Sequence, residues 1–188
     1  VLWAARNLAR PIKWTARRDE EFCTTSQARD SVLRGTLGLT VEGEFVGLHV
    51  QSTCNLGAYH TGNGPFTQLR NLTRMLPGVY KTPALHLELI GVFTNTVPIS
   101  SYRGVGRMEA ITLMELLIDK AARITGIDRI ALRQKNTIAS NSMPHTTPTG
   151  AVYDSGDYTA NMALAMEAAD WDRFAVRRET AAQYGRLR

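Results

Sequence analysis

Two runs of alternating apolar residues, separated by Glu42-Gly43-Glu44, constrain this chain more than any other feature. From Gly35 to Val41 the residues Thr36, Leu37, Gly38, Leu39, Thr40 and Val41 alternate with period two. Phe45 to Cys54 resumes the alternation through Val46, Leu48 and Val50. Successive side chains of a strand point to opposite faces, so each run predicts a strand with one buried face. The short polar spacer predicts a tight turn, and the two strands together a β-hairpin.

The remaining elements follow from spacing and punctuation. Leu2, Ala5 and Leu8 recur at helical spacing within Val1 to Arg10, and Pro11 terminates that helix. Ile12 to Thr15 reads as a short strand and Asp19 to Phe22 as a helical turn. Phe66 to Leu76 predicts a helix ended by Pro77-Gly78, with Arg70 and Arg74 on its surface. Ala84 to Phe93 alternates again, Leu85, Leu87 and Leu89 facing one way, His86 and Glu88 the other. Arg107 to Thr125 predicts a long helix stopped by Gly126, and its wide apolar face predicts extensive burial. Asp128 caps a further helix through Asn136. Ser140 to Ser155 reads as a surface loop, and Asp157 to Ala169 and Asp170 to Tyr184 as helices. Hairpin and helices without regular βαβ alternation give an α+β class: a mixed sheet with a β-hairpin and packed helices.

Composition narrows the function. No apolar run reaches the ~20 residues a membrane helix needs. The net charge of +5 comes from arginines scattered in short pairs, without the dense basic stripe and interleaved aromatics of a nucleic-acid surface. Cys23 and Cys54 form no CxxC motif or ligand cluster and read as reduced, mostly buried thiols. Gly57, Gly62 and Gly64 make a glycine-rich stretch up to Pro65, but neither GxxxxGK[ST] nor GxGxxG spacing is present, which favours a plain connection over a phosphate cradle.

The segment with chemistry is Ser101-Tyr102-Arg103-Gly104-Val105-Gly106-Arg107, preceded by Thr94-Asn95-Thr96-Val97-Pro98. Gly104 and Gly106 free the backbone to take positive φ and to approach a bulky ligand. Successive main-chain N–H groups there can form an anion-binding concavity, and Arg103 adds up to five donors in a fixed fork. The start of the helix near Arg107 favours a negative ligand as well. The alternative is a structural turn whose arginine pairs with an acid.

These stretches resemble the catalytic large subunit of the molybdenum hydroxylases, the family of xanthine dehydrogenase, aldehyde oxidase and aerobic carbon monoxide dehydrogenase. Six segments match in order: Arg10 to Thr15 with Arg18 and Glu21-Phe22; Gly57-Ala58-Tyr59; Tyr80 to Pro83; Thr94 to Gly106; Ile127-Asp128 with Leu132 to Asn136; and Thr149 to Tyr158. The resemblance implies that residues 1–188 are a fragment of a molybdopterin-binding domain. It implies Arg103, Gly104 and Tyr102 as cofactor contacts, with Tyr102 buttressing the loop and Val105 facing the substrate cavity.

Two departures refine that expectation. Carbon monoxide dehydrogenases carry a copper-binding cysteine after this arginine, and here the position is Gly104. Xanthine-oxidising members carry an aromatic residue two positions after it, and here the position is Val105. The family's glycine-rich cofactor segment is expected before Val1 and its catalytic glutamate beyond Arg188, so no catalytic residue is expected within this chain. The resemblance implies a cytoplasmic, bacterial-type oxidoreductase. It would oxidise an aldehyde or N-heterocycle with water as oxygen donor, on a molybdopterin cofactor in its cytosine dinucleotide form. Electrons would pass to an Fe–S small subunit and an FAD medium subunit. A cofactor-free interaction or scaffold domain that kept the fold is the competing expectation.

Overall fold

The hairpin forms, and it is longer than the alternation requires. In the computed structural model, which describes residues 1–186, β1 spans Ser31–Leu39 and β2 spans Phe45–Gly57. They pair antiparallel from Ser31 opposite Cys54 to Leu39 opposite Phe45, with a register shift between Gly38 and Leu39. The strand β3, Leu85–Phe93, joins the other edge of β2 in parallel, His49 beside His86 and Gln51 beside Glu88. The sheet is therefore mixed, in the order β1-β2-β3. Parallel neighbours need a crossover, and α3, Gly64–Met75, is its helix.

One face of the sheet builds the core. Leu48 and Val50 of β2 are buried together with Phe45, Leu72, Leu76, Tyr80, Met114, Ile118 and Leu132. The last three lie on α4, Arg107–Thr125, and α5, Arg129–Asn136; α4 packs on β1, α3 and α5. Asp128 caps α5 as expected, its carboxylate accepting from the N–H groups of Ile130 and Ala131 at 2.9 Å.

Asn136, at the end of α5, ties that helix to the hairpin turn. Its side-chain amide donates to the carbonyls of Gly43 and Leu132 at 2.8 Å, and its carbonyl oxygen accepts from the Phe45 N–H at 2.8 Å. A buried amide that satisfies this many main-chain groups fixes the turn against the helix. Behind it, Arg133 donates to Glu115 at 2.8 Å and Asp119 at 2.9 Å, and the Tyr80 hydroxyl donates to Glu115 at 2.7 Å. Burial first, and then the hydrogen bond to Glu115, push the Tyr80 phenol well above its ordinary range.

The chain ends are less enclosed. The helices α1 (Leu2–Leu8), α2 (Arg18–Thr24), α6 (Tyr158–Ala168) and α7 (Phe174–Gln183) contain no buried residue.

Four expectations need correction. The strand expected at Ile12–Thr15 does not form, because no neighbouring segment among the described residues offers it a ladder. Ser140 to Ser155 is more than a loop: it holds a 3₁₀ turn at Ser140–Ser142 and a short antiparallel pair, β4 (His145–Thr146) with β5 (Val152–Tyr153). The helix α4 is covered on one side only, leaving Ile111 51% and Leu116 62% exposed. Both cysteines are free, but Cys23 is exposed on the unburied α2 and only Cys54 is buried.

Candidate functional site

The Thr94–Pro98 run is anchored before the arginine loop begins. Asn55, near the end of β2, donates to Asp30 Oδ2 at 2.7 Å and Thr96 Oγ1 at 2.9 Å, and accepts at Oδ1 from the Thr94 hydroxyl and the Gly57 N–H, both at 2.7 Å. The Gln27 N–H donates to the Pro98 carbonyl at 2.9 Å and the Ser100 N–H to the Gln27 carbonyl at 2.7 Å. Glycines let the chain cross itself here. A methyl on Gly57 would sit 2.5 Å from the Val97 oxygen, and one on Gly64 2.3 Å from the Ile99 oxygen. Those two glycines serve close backbone crossings, not a phosphate cradle.

The loop then turns over the middle of α3 and into the start of α4. Gly104 and Gly106 take φ 75° and 73°, in the left-handed region that disfavours side chains. A Cβ at Gly106 would lie 2.3 Å from the Gln68 carbonyl oxygen, so α3 packs directly on this backbone. Asn71 of α3 donates to the Val105 carbonyl at 3.0 Å. The expected row of free N–H groups is reduced. Those of Arg107 and Met108 donate to the Gly104 carbonyl at 2.9 Å and 3.3 Å and close the loop onto the first turn of α4.

Side-chain placement separates the predicted residues into two groups. Tyr102 is 60% exposed and Arg103 is exposed, and among the described residues the Arg103 guanidinium has no ion-pair partner. Gly104 lies half-buried beside them. Val105 is buried, at 4% exposure, beneath the open face of the loop. Arg70 and Arg74 stand exposed on α3, as expected.

Sequence reasoning missed what supports the loop. Arg29, just before β1, donates to the main-chain carbonyls of Tyr102 and Arg103 and lays its guanidinium over the Tyr102 ring, 5.0 Å from the centroid. Its own φ is 61°, uncommon for a residue with a Cβ. Arg29, Ser31, Leu33, Met108, Glu109 and Leu113 line an open cleft of about 410 Å³ next to the loop.

That cleft has a notable floor. Both Glu109 carboxylate oxygens are buried without a hydrogen-bond partner among the described residues. Gln68 of α3, outside the cleft's lining, has an orphaned Oε1 as well, while its amide nitrogen donates to Ser31 at 2.6 Å. Orphaned buried acceptors are costly and mark places where a donor is missing. Burial raises the nearby Cys54 thiol above its ordinary range, and the Asp30 and Glu109 carboxylates add to the effect. Glu109 had a legible signal, since it stands one and two turns ahead of Leu113 and Leu116 on an apolar stripe. Arg29 had none.

A fused heterocycle rich in N–H donors, carrying an anionic end, fits this set. The acceptor at Glu109 suits the donors, and the exposed guanidinium of Arg103 suits the charge.

Comparison with known proteins reaches the same chemistry. The family model described as a molybdopterin cofactor-binding domain matches residues 1–137. The carbon monoxide dehydrogenase large chain of Hydrogenophaga pseudoflava is 35% identical over 178 residues, covering 94% of this chain and 22% of its own length. The 6-hydroxypseudooxynicotine dehydrogenase complex subunit gamma of Paenarthrobacter nicotinovorans is 34% identical, over 92% of this chain and 22% of its own. Among solved structures, quinoline 2-oxidoreductase from Pseudomonas putida 86 superposes with a TM-score of 0.87 at 32% identity, over 97% of this chain and 23% of that one. The chain thus spans about a fifth of the length of the curated relatives it matches. With the family model matching residues 1–137, most of the chain, this chain belongs to the molybdopterin cofactor-binding domain family of the molybdenum hydroxylases.

Proposed function

We propose that residues 1–188 are part of the cofactor-binding region of a catalytic large subunit that hydroxylates an N-heterocycle or an aldehyde with water as oxygen donor. The carrying observation is the Tyr102–Gly106 loop, whose exposed Arg103 guanidinium has no ion-pair partner among the described residues, beside a cleft lined by Arg29 and by Glu109 with its orphaned carboxylate. Arg103 would hold the anionic part of the molybdopterin, and the Gly104 backbone would lie against it. Tyr102, held by Arg29, would keep the loop in place. Val105, being buried, would bear on the substrate pocket through its bulk beneath the loop. Glu109, which lines the cleft, would accept from a ring N–H group.

The bound cofactor would supply the redox and oxygen-transfer chemistry, and this segment the positioning. The heterocyclic substrate class is favoured by the quinoline and hydroxypseudooxynicotine names of the relatives. Gly104, where a copper-binding cysteine would stand, argues against carbon monoxide oxidation. The cytosine dinucleotide form of the cofactor, an Fe–S small subunit, an FAD medium subunit and a cytoplasmic location complete the proposal. The relatives named as a large chain and as a subunit of a complex support a multi-subunit enzyme.

The test is Arg103→Ala in the full-length subunit, co-produced with its partners in a host that makes the cofactor. Molybdenum per subunit, read by elemental analysis, should fall at least about tenfold, the loss expected for a charge-assisted contact of ~1.5–3 kcal/mol. Wild-type molybdenum content and turnover in the variant would sink the assignment. Absence of molybdenum from the wild-type protein would favour a scaffold that kept only the fold.

A further inference from the structure

The sheet face opposite the core carries a cluster that the cofactor proposal does not use. Period-two geometry puts His86 and Glu88 on one face of β3, and the parallel register brings His49 beside His86 and Gln51 beside Glu88. His49 Nε2 stands 3.0 Å and His86 Nε2 3.3 Å from the same oxygen, Glu88 Oε1. The imidazole centroids are 5.1 Å apart, and the three potential donor atoms lie within 4.8 Å of one another.

These separations have a chemical meaning. With bonds of ~2.0–2.1 Å to nitrogen and oxygen, the edge of a zinc tetrahedron is about 3.3 Å. Both nitrogen-to-carboxylate distances approach that edge, so an ion could enter with a small outward shift of the side-chain tips. The second carboxylate oxygen, Oε2, is already engaged, accepting from Gln51 Nε2 at 2.9 Å. That bond fixes the carboxylate plane and leaves Oε1 toward the imidazoles, as outer partners of metal-ligating carboxylates do. His49 and Glu88 are about two-fifths exposed and His86 is 69% exposed, so an ion has direct access from solvent.

We propose that His49, His86 and Glu88 form a binding site for one zinc-class divalent ion, with solvent in the remaining position. Such an ion would join β2 to β3 in a fixed register. β3 runs on into the Thr94–Gly106 segment and β2 ends at Asn55 and Gly57, which anchor that segment, so the site would brace the base of the cofactor loop from the far side of the sheet. The proposal is independent of which cofactor the loop holds.

The experiment uses the full-length protein, treated with a chelator and then titrated with Zn²⁺ by calorimetry, with zinc counted by elemental analysis. One ion per subunit is expected to be lost, or its affinity to fall by more than about 100-fold, in both His49→Gln and His86→Asn. Gln51→Ala should weaken it by about 10- to 100-fold, as removal of an outer-shell partner does. His86 is exposed enough for His86→Asn to fold normally, which far-UV circular dichroism verifies. Zinc X-ray absorption of the wild-type protein should report two imidazole nitrogens. Uptake by His86→Asn at wild-type affinity and stoichiometry would overturn the proposal, as would a wild-type protein that takes up no zinc at a hundred-micromolar concentration.

Discussion

Arg29 and Tyr102, 73 positions apart in the chain, form a single unit: the guanidinium lies 5.0 Å from the ring centroid and also donates to the Tyr102 carbonyl. Arg29→Met keeps a long side chain but removes the charge and both donors. An exposed cation–π contact contributes about 0.5–1 kcal/mol, and each of the two solvent-exposed hydrogen bonds about 0.5–1 kcal/mol. The variant should unfold about 1–3 kcal/mol more easily in denaturant and hold less molybdenum. An unchanged molybdenum content would remove Arg29 from the loop's support.

The two glycines of the loop should differ in their tolerance of alanine. At Gly104 the new methyl would meet only the flexible Met108 side chain, at 3.1 Å, so the cost is the left-handed backbone, about 1–2 kcal/mol. At Gly106 it would meet the Gln68 carbonyl oxygen at 2.3 Å and the Leu72 nitrogen at 2.8 Å, and the α3 backbone must move. Thermal unfolding of the full-length protein should show Gly106→Ala as much the more damaging. Equal losses would mean that α3 does not press on the loop.

Glu109 should show opposite signs in two measurements. Its partnerless carboxylate is a cost in the cofactor-free protein and an acceptor in the loaded one. Glu109→Leu should raise the melting temperature of cofactor-free protein, by the equivalent of about 1–3 kcal/mol, while lowering molybdenum content. A drop in both would show that Glu109 has a structural partner.

Asn136→Ala removes three main-chain partners at once and leaves the Phe45 N–H and the Gly43 carbonyl without theirs. The cost should be about 2–4 kcal/mol, read as a shift of the urea midpoint without a change in slope.

The two thiols should label at very different rates. Cys23 is exposed, whereas Cys54 is fully buried and its thiol is pushed upward by burial, which lowers its thiolate fraction at any given pH. Iodoacetamide at pH 8, followed by peptide mapping, should modify Cys23 and spare Cys54 until the protein unfolds. Comparable labelling of Cys54 in native protein would mean that β2 opens readily.

Legibility followed the range of the interactions. The hairpin, β3, α4 and α5 were readable because alternation, helical spacing and the Asp128 cap are local signals. The α4 surface was misjudged for a complementary reason: an apolar pattern reveals that a face is to be covered, not whether nearby residues cover it. Ile12–Thr15 has strand-like residues but no neighbour to pair with, which no local pattern can report. In the site, Tyr102, Arg103 and Gly104 stood out through motif and resemblance. Arg29, Gln68 and Asn55 act across dozens of positions, and only the folded chain brings them to the loop.

The crossings at Gly57, Gly64 and Gly106 have an evolutionary corollary. Main chain touches main chain at each of them, so the path from Val97 to Gly106 is steered by contacts that no side chain at 102–105 takes part in. Relatives could exchange the exposed side chain at 103, and so change what the site admits, while the rail beneath stays where it is.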